Sequence, residues 1–169
     1  REYFGVILPD DVMIANPSVL AQLISVHEKL GGSVIALEKV PPEETARYGV
    51  VKAAEKYPGI FAVEDMVEKP DPGEAPSDLA IIGRYILTPS IFEAIEKVSP
   101  GKGGEIQLTD SIRSLINKEE IYAYEFQGTY YGVGDKVGFL KANVAFALKR
   151  KDIGEELKGF LKQIIEEER

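Results

Sequence analysis

Two apolar runs of strand length, Phe61 to Val67 and Leu79 to Leu87, leave this chain few folds to choose from. The second is interrupted by Gly83-Arg84. Between the runs lies Pro70 to Asp78, with prolines at 70, 72 and 76 and a glycine at 73. Proline at 70 stops a strand and predicts Lys69 extended before it. The first run therefore ends in an acid-base pair, Glu68-Lys69, with one side chain predicted on each face of the pleat. Such a pair can offer a carboxylate to sugar hydroxyls and an ammonium to a phosphate. It also reads as a solvated strand end, since exposed Glu-Lys pairs are common.

The flanking chain alternates strand-like and helix-like segments. Tyr3 to Leu8 is a short apolar run ending in Pro9-Asp10-Asp11, a buried strand delivering acids at the end where open α/β sheets place ligands. Asn16-Pro17 predicts a helix start with Pro17 at the first helical position. Leu20, Leu23, Ile24, His27 and Leu30 follow at helical spacing, and Gly31-Gly32 ends the helix. His27, the single histidine, has no cysteine or second histidine to share a metal and reads as a packing or edge residue. Further strands are expected at Ser33 to Val40, Tyr48 to Ala54 and Ile121 to Phe126. Thr88-Pro89 caps a helix through Val98, and Glu105 to Asn117 forms another. Gly128 to Gly134 reads as a tight loop. Asp135 caps a helix from Lys136 to Arg150, and Asp152 caps a last one. In that last helix Leu157, Phe160, Leu161, Ile164 and Ile165 form an apolar stripe that must be buried against the domain or a partner chain. The glycine-rich loop PGKGG at 100–104 lacks the spacing of a phosphate-cradling P-loop. The fold class is therefore α/β, a mixed and mainly parallel sheet flanked by helices, with antiparallel pairing around 48–87. Residues 1–150 form the main body and 151–169 a C-terminal amphipathic helix.

Bulk properties exclude several functions. A chain of 169 residues can bury a core. The formal net charge is −8, from 28 acidic and 20 basic residues, which opposes nonspecific nucleic-acid binding. It does not oppose a phosphate-bearing small molecule, which a few placed lysines and a metal ion can hold. No apolar run approaches a membrane span, and no signal-peptide pattern opens the sequence. Cysteine is absent, excluding disulfides and thiolate metal sites and fitting a reducing cytoplasm.

Five blocks in order carry a resemblance. These are FGVILPDD (Phe4 to Asp11), ARYGVV (Ala46 to Val51), VEKP followed by APSDLAIIGRYIL, GKGGEIQLTDSI, and VGDKVGFLKANVAFAL (Val133 to Leu148). Together they resemble the bacterial UTP–glucose-1-phosphate uridylyltransferases, of the sugar-1-phosphate nucleotidylyltransferase superfamily, over nearly the whole chain. The resemblance implies a nucleotidyltransferase Rossmann-like fold, a homo-oligomer, and uridylyl transfer from UTP to glucose 1-phosphate giving UDP-glucose and pyrophosphate. It implies that Asp10 binds Mg²⁺, that Glu68 grips glucose hydroxyls, and that Lys69 contacts the sugar phosphate; Lys69 and Asp10 are then the catalytic residues. Gly49 matches a glycine whose backbone approaches the sugar. Gly83 is assigned to the same pocket, or else eases packing within its strand.

There are two departures from the pattern. The family's G-x-G-T-R loop and lysine-bearing region, which hold the nucleotide, are not found. The chain is thus expected to be the C-terminal portion of a longer enzyme and inactive alone. Gly132 stands where many relatives carry an aspartate that can serve as a second metal-side carboxylate. Two alternatives remain: a non-catalytic sugar-nucleotide-binding module of the same fold, or transfer of another nucleotide such as a thymidylyl or adenylyl group.

Overall fold

The computed structural model describes residues 2–71, 73–101 and 104–168. In chain order the elements are β1 (Phe4–Ile7), β2 (Asp11–Ile14), α1 (Val19–Leu30), β3 (Ser33–Lys39), β4 (Gly49–Tyr57), β5 (Ile60–Glu68) and β6 (Leu79–Leu87). They continue with α2 (Ser90–Lys97), α3 (Leu108–Arg113), β7 (Ile121–Glu125), β8 (Thr129–Gly132), α4 (Lys136–Leu148) and α5 (Gly154–Glu167). The chain divides into two compact units. One joins the segment through Leu8 to Ile14–Gly128, and the other joins Pro9–Met13 to the segment from Thr129 onward.

The first unit is built on a six-stranded sheet in the order β1-β6-β3-β7-β5-β4. Mixed pairing is as expected, but its balance is not. Among the described residues β3–β7 is the parallel pairing of this sheet, and β1–β6, β3–β6, β4–β5, β4–β6 and β5–β7 are antiparallel. One of these pairs, β4–β5, has a local cause and lies in the region expected to be antiparallel. Pro58-Gly59 closes a hairpin between Tyr57 and Ile60, with Gly59 at φ 73°, and a tight hairpin can only be antiparallel. Leu23, Ile35, Leu37, Val51, Met66, Ile91 and Ile112 are buried and join the sheet to its helices. Each such side chain contributes about 1.5–3 kcal/mol on burial.

Helix α1 buries Val19, Gln22, Leu23 and Val26, an i, i+3, i+4, i+7 face. It starts two residues later than Pro17 predicts, because the Ser18 side chain accepts from the Ala21 N–H and supplies the cap. Buried Gln22 donates to the Pro17 and Gln127 carbonyls, at 2.9 and 2.8 Å, and accepts from the Gln127 N–H. His27 is indeed a packing residue: its Nδ1 lies 2.6 Å from the Gly32 carbonyl and its ring packs on Tyr3. Thr88 does not cap α2; its hydroxyl donates to the Glu119 carboxylate at 2.8 Å. Helix α3 is shorter than the predicted 105–117 span. Beyond it, i→i+3 bonds such as Leu115 N–H to Ile112 carbonyl tighten the chain while keeping Leu115 buried. Lys102 and Gly103 of the PGKGG loop lie outside the described residues.

The second unit pairs β2 with β8 and adds α4 and α5. The predicted loop 128–134 is thus partly a strand, as the run Thr129-Tyr130-Tyr131 favours. Asp135 caps α4 as expected, accepting from the Val137 and Gly138 N–H groups. Asp152 does not cap α5, since its carboxylate is held by the Arg150 guanidinium. The α5 stripe is not buried within the chain: Phe160, Ile164 and Ile165 are all exposed. An open groove of about 540 Å³ lies in this unit, lined mainly by apolar side chains including Val12, Phe139, Ala142, Phe146 and Ile153.

Candidate functional site

The first unit gathers three of the five expected site residues at one end of the β4–β5 hairpin. Gly49 opens β4 and pairs with Glu68, the last residue of β5. The Lys69 N–H extends the ladder one step further, to the Tyr48 carbonyl at 2.9 Å. There Pro70 ends it, as the sequence predicts.

Lys69 is not extended. Its φ is +45°, the one positive value at a non-glycine residue among those described. Strict alternation across the pleat therefore stops at Glu68. The Lys69 ammonium lies 3.8 Å from Glu68 Oε1 instead of projecting to the opposite face. A left-handed backbone at lysine costs about 1–3 kcal/mol, and such conformations concentrate at functional sites. The lysine side chain is 55% exposed and that of the glutamate 15%. Their long contact in solvent is worth less than about 1 kcal/mol, so a phosphate can compete for the ammonium.

Glu68 has a stronger partner in α3. The Thr109 hydroxyl donates to Glu68 Oε2 at 2.6 Å. Sequence reasoning missed this residue. The available signal was its i, i+3 spacing to inward-facing Ile112, which places a hydroxyl on the helix's buried face. Four residues further along α3, Arg113 grips Asp65 of β5 with a two-pronged contact at 2.6 and 2.9 Å. The Arg113 hydrogen bond holds the Asp65 carboxyl below its ordinary value, against a smaller opposing effect of burial. Gly49 sits against the same pair: a Cβ there would lie 3.1 Å from Glu68 Oε2, 3.0 Å from Thr109 Oγ1 and 3.0 Å from Ile81 Cδ1.

Gly83 lies where the β3–β6 register shifts, between partners Ile82 and Tyr85. Its carbonyl accepts from the Leu8 N–H and from Arg84 Nη1, both at 2.9 Å. The structure thus ties Gly83 to Leu8 within the first unit.

Asp10 belongs to the second unit, in the turn entering β2. Its carbonyl accepts from the Val133 N–H at 2.8 Å, and a Cβ at Gly134 would come within 3.3 Å of its Oδ2. The glycine leaves room beside an exposed carboxylate. Neighbouring Asp11 is committed elsewhere, accepting from the Tyr130 hydroxyl at 2.6 Å. Gly132 is constrained too: a Cβ there would stand 2.6 Å from that same hydroxyl. No group of three or more potential metal-ligating side chains occurs among the described residues. A single hard carboxylate fits a Mg²⁺ ion whose other ligands are substrate phosphates and water.

A protein-family model described as nucleotidyl transferase matches residues 1–149. The chain is 45% identical over 164 residues to a UTP--glucose-1-phosphate uridylyltransferase of Staphylococcus epidermidis, covering 97% of this chain and 57% of that protein. It is 45% identical, with the same coverage, to UTP--glucose-1-phosphate uridylyltransferase 1 of Staphylococcus saprophyticus. Among solved structures, a UDP-glucose pyrophosphorylase complexed with UDP-glucose superposes with a TM-score of 0.85 at 45% identity, over 88% of this chain and 57% of that one. A UTP-bound UGPase of Acinetobacter baumannii superposes with a TM-score of 0.81 at 32% identity, over 95% of this chain and 56% of the other. The chain thus spans a little over half the length of the relatives it matches, and its α/β architecture is that of this group.

Proposed function

The chain belongs to the nucleotidyl transferase family, and from that premise we propose that it forms the sugar-phosphate side of an enzyme transferring a uridylyl group from UTP to glucose 1-phosphate. The observation that carries this reading is the β5 terminus, where an oriented carboxylate and an exposed ammonium stand side by side on a strained backbone. In the reaction a phosphate oxygen of glucose 1-phosphate attacks the α-phosphorus of UTP. The bond from that phosphorus to the β-phosphate bridging oxygen breaks, and pyrophosphate leaves with the bonding electrons. Glu68 accepts hydrogen bonds from glucose hydroxyls and fixes the sugar. Lys69 offsets the charge of the sugar phosphate, a role of positioning and electrostatics. Gly49 and Gly83 complete the sugar side in this reading.

Nucleotidyl transferases generally use a divalent metal. In this reading Asp10 would hold Mg²⁺, which would supply charge neutralisation for bound phosphate. Residues 1–150 are the sugar-phosphate and metal side of the catalytic domain, and 151–169 its terminal helix. A second copy of the chain covers the exposed apolar side chains of α4 and α5, making a homo-oligomer. No helix among the described residues is long and apolar enough to cross a membrane, and a cytoplasmic location suits the cysteine-free sequence.

Isothermal titration with glucose 1-phosphate tests the reading. Binding by the parent is expected, weakened at least about tenfold by Glu68→Ala, the scale of losing hydrogen bonds to a charged group. Parental affinity in both Glu68→Ala and Lys69→Ala would overturn it.

A further inference from the structure

We propose that Thr109 is a positioning residue for the sugar site, fixing Glu68 through Oε2 so that Oε1, which has a long contact with the Lys69 ammonium at 3.8 Å, is left to accept from the substrate. Gly49 lacks a side chain to make room for that pair. The inference rests on the reading of Glu68 as the acceptor of sugar hydroxyls and adds a division of labour between its two oxygens.

Three observations converge on it. Thr109 is only 7% exposed, and a buried hydroxyl needs an acceptor. The acceptor it has is Glu68 Oε2, at a length typical of a charge-assisted bond. The donor is also held in place without any ligand, since Arg113 on the same helix grips Asp65 on the same strand as Glu68. Finally, the space a Cβ at Gly49 would need is bounded by Glu68 Oε2, Thr109 Oγ1 and Ile81 Cδ1. A side chain there would press on both members of the hydrogen-bonded pair and on Ile81.

A neutral donor suits this task. A lysine or arginine at position 109 would orient the carboxylate but also neutralise it, weakening its grip on a sugar hydroxyl. A hydroxyl orients it and leaves its charge. A free glutamate loses several rotamers when a ligand fixes it. Here that ordering is already present, so more of the sugar's hydrogen-bond energy appears as affinity.

The test is calorimetric titration of UDP-glucose into the chain and into Thr109→Val, Thr109→Ser, Glu68→Gln and the Thr109→Val/Glu68→Gln double variant, with melting curves recorded for each. Thr109→Val removes the hydroxyl at near-constant shape and is expected to weaken binding about tenfold to hundredfold, the scale of losing a hydrogen bond to a charged group. Thr109→Ser keeps the hydroxyl and is expected to stay close to the parent. In the Glu68→Gln background Thr109→Val should cost much less, because the two side chains act as one unit. If Thr109→Val fails to fold, Thr109→Ala removes the same hydroxyl with less bulk and should weaken binding to a similar extent. Parental affinity in Thr109→Val, or strict additivity in the double variant, would overturn the inference while leaving the sugar-site reading in place. A parent chain that binds no UDP-glucose would overturn the sugar-site reading and the inference with it.

Discussion

Lys69 is the residue where local chemistry and observed geometry part most sharply. The rule that a residue before proline is extended is a steric one, and it predicted β geometry here. The structure holds the lysine at φ +45° instead, between a ladder bond to Tyr48 and the Pro70 ring. Tertiary context must offset that strain. Comparing two small replacements isolates it: Lys69→Gly should be more stable than Lys69→Ala by about 1 kcal/mol in urea unfolding, because glycine accepts a positive φ without penalty. Equal stability would mean the backbone relaxes once the lysine is gone. In the assembled transferase Lys69→Ala should lower the rate by about 10²–10³, the effect of removing one transition-state donor. Gly132 belongs at this scale as well. An aspartate there would have to displace the Tyr130 hydroxyl from Asp11. Gly132→Asp should therefore lower stability by about 1 kcal/mol, one hydrogen bond's worth, besides adding a carboxylate. Titration of Mn²⁺ with UDP-glucose present should show metal binding lost in Asp10→Asn. Binding that survives Asp10→Asn would place the metal elsewhere.

At the scale of elements, α3 and α5 were read with unequal success. A helix in this segment was legible from its apolar spacing, which buries Ile112 within α3 and Leu115 just beyond it. Its polar links to β5 were not, since Thr109–Glu68 and Arg113–Asp65 join residues more than forty positions apart. No local pattern encodes such a contact. The Asp65 link gives a pH signature. Its carboxyl titrates below the ordinary value when folded, so its contribution is present above the unfolded pKa of about 3.8 and is lost as the pH falls through the folded one. Asp65→Asn should therefore be less stable than the parent at pH 7, by under about 1 kcal/mol because the pair is exposed, with the difference shrinking as the pH falls below the unfolded pKa of about 3.8. The α5 stripe was legible as a pattern but not as a packing. Phe160 is 57% exposed, so Phe160→Ala should barely shift the melting temperature of the isolated chain. It should instead reduce the mass measured by sedimentation if a second copy covers the stripe. A large loss of stability at unchanged mass would mean that the helix packs within its own chain.

Over the whole molecule, the α/β class, the hairpin end and the assignment to this family were all readable from short blocks of sequence. The sense of strand pairing was less so, because apolar periodicity fixes that a segment is a strand and not the direction of its neighbour. The net charge of −8 is compatible with anionic ligands because a ligand meets local groups, such as the exposed lysine at the β5 end, and not the average charge of the chain. The β5 terminus is proposed as a sugar-nucleotide site. Backbone amide NMR during titration with UDP-glucose tests it most directly. The largest shifts are expected at Gly49, Glu68, Lys69 and Thr109, and they should be abolished in Glu68→Ala/Lys69→Ala. Saturable shifts that leave those four amides unmoved would contradict it.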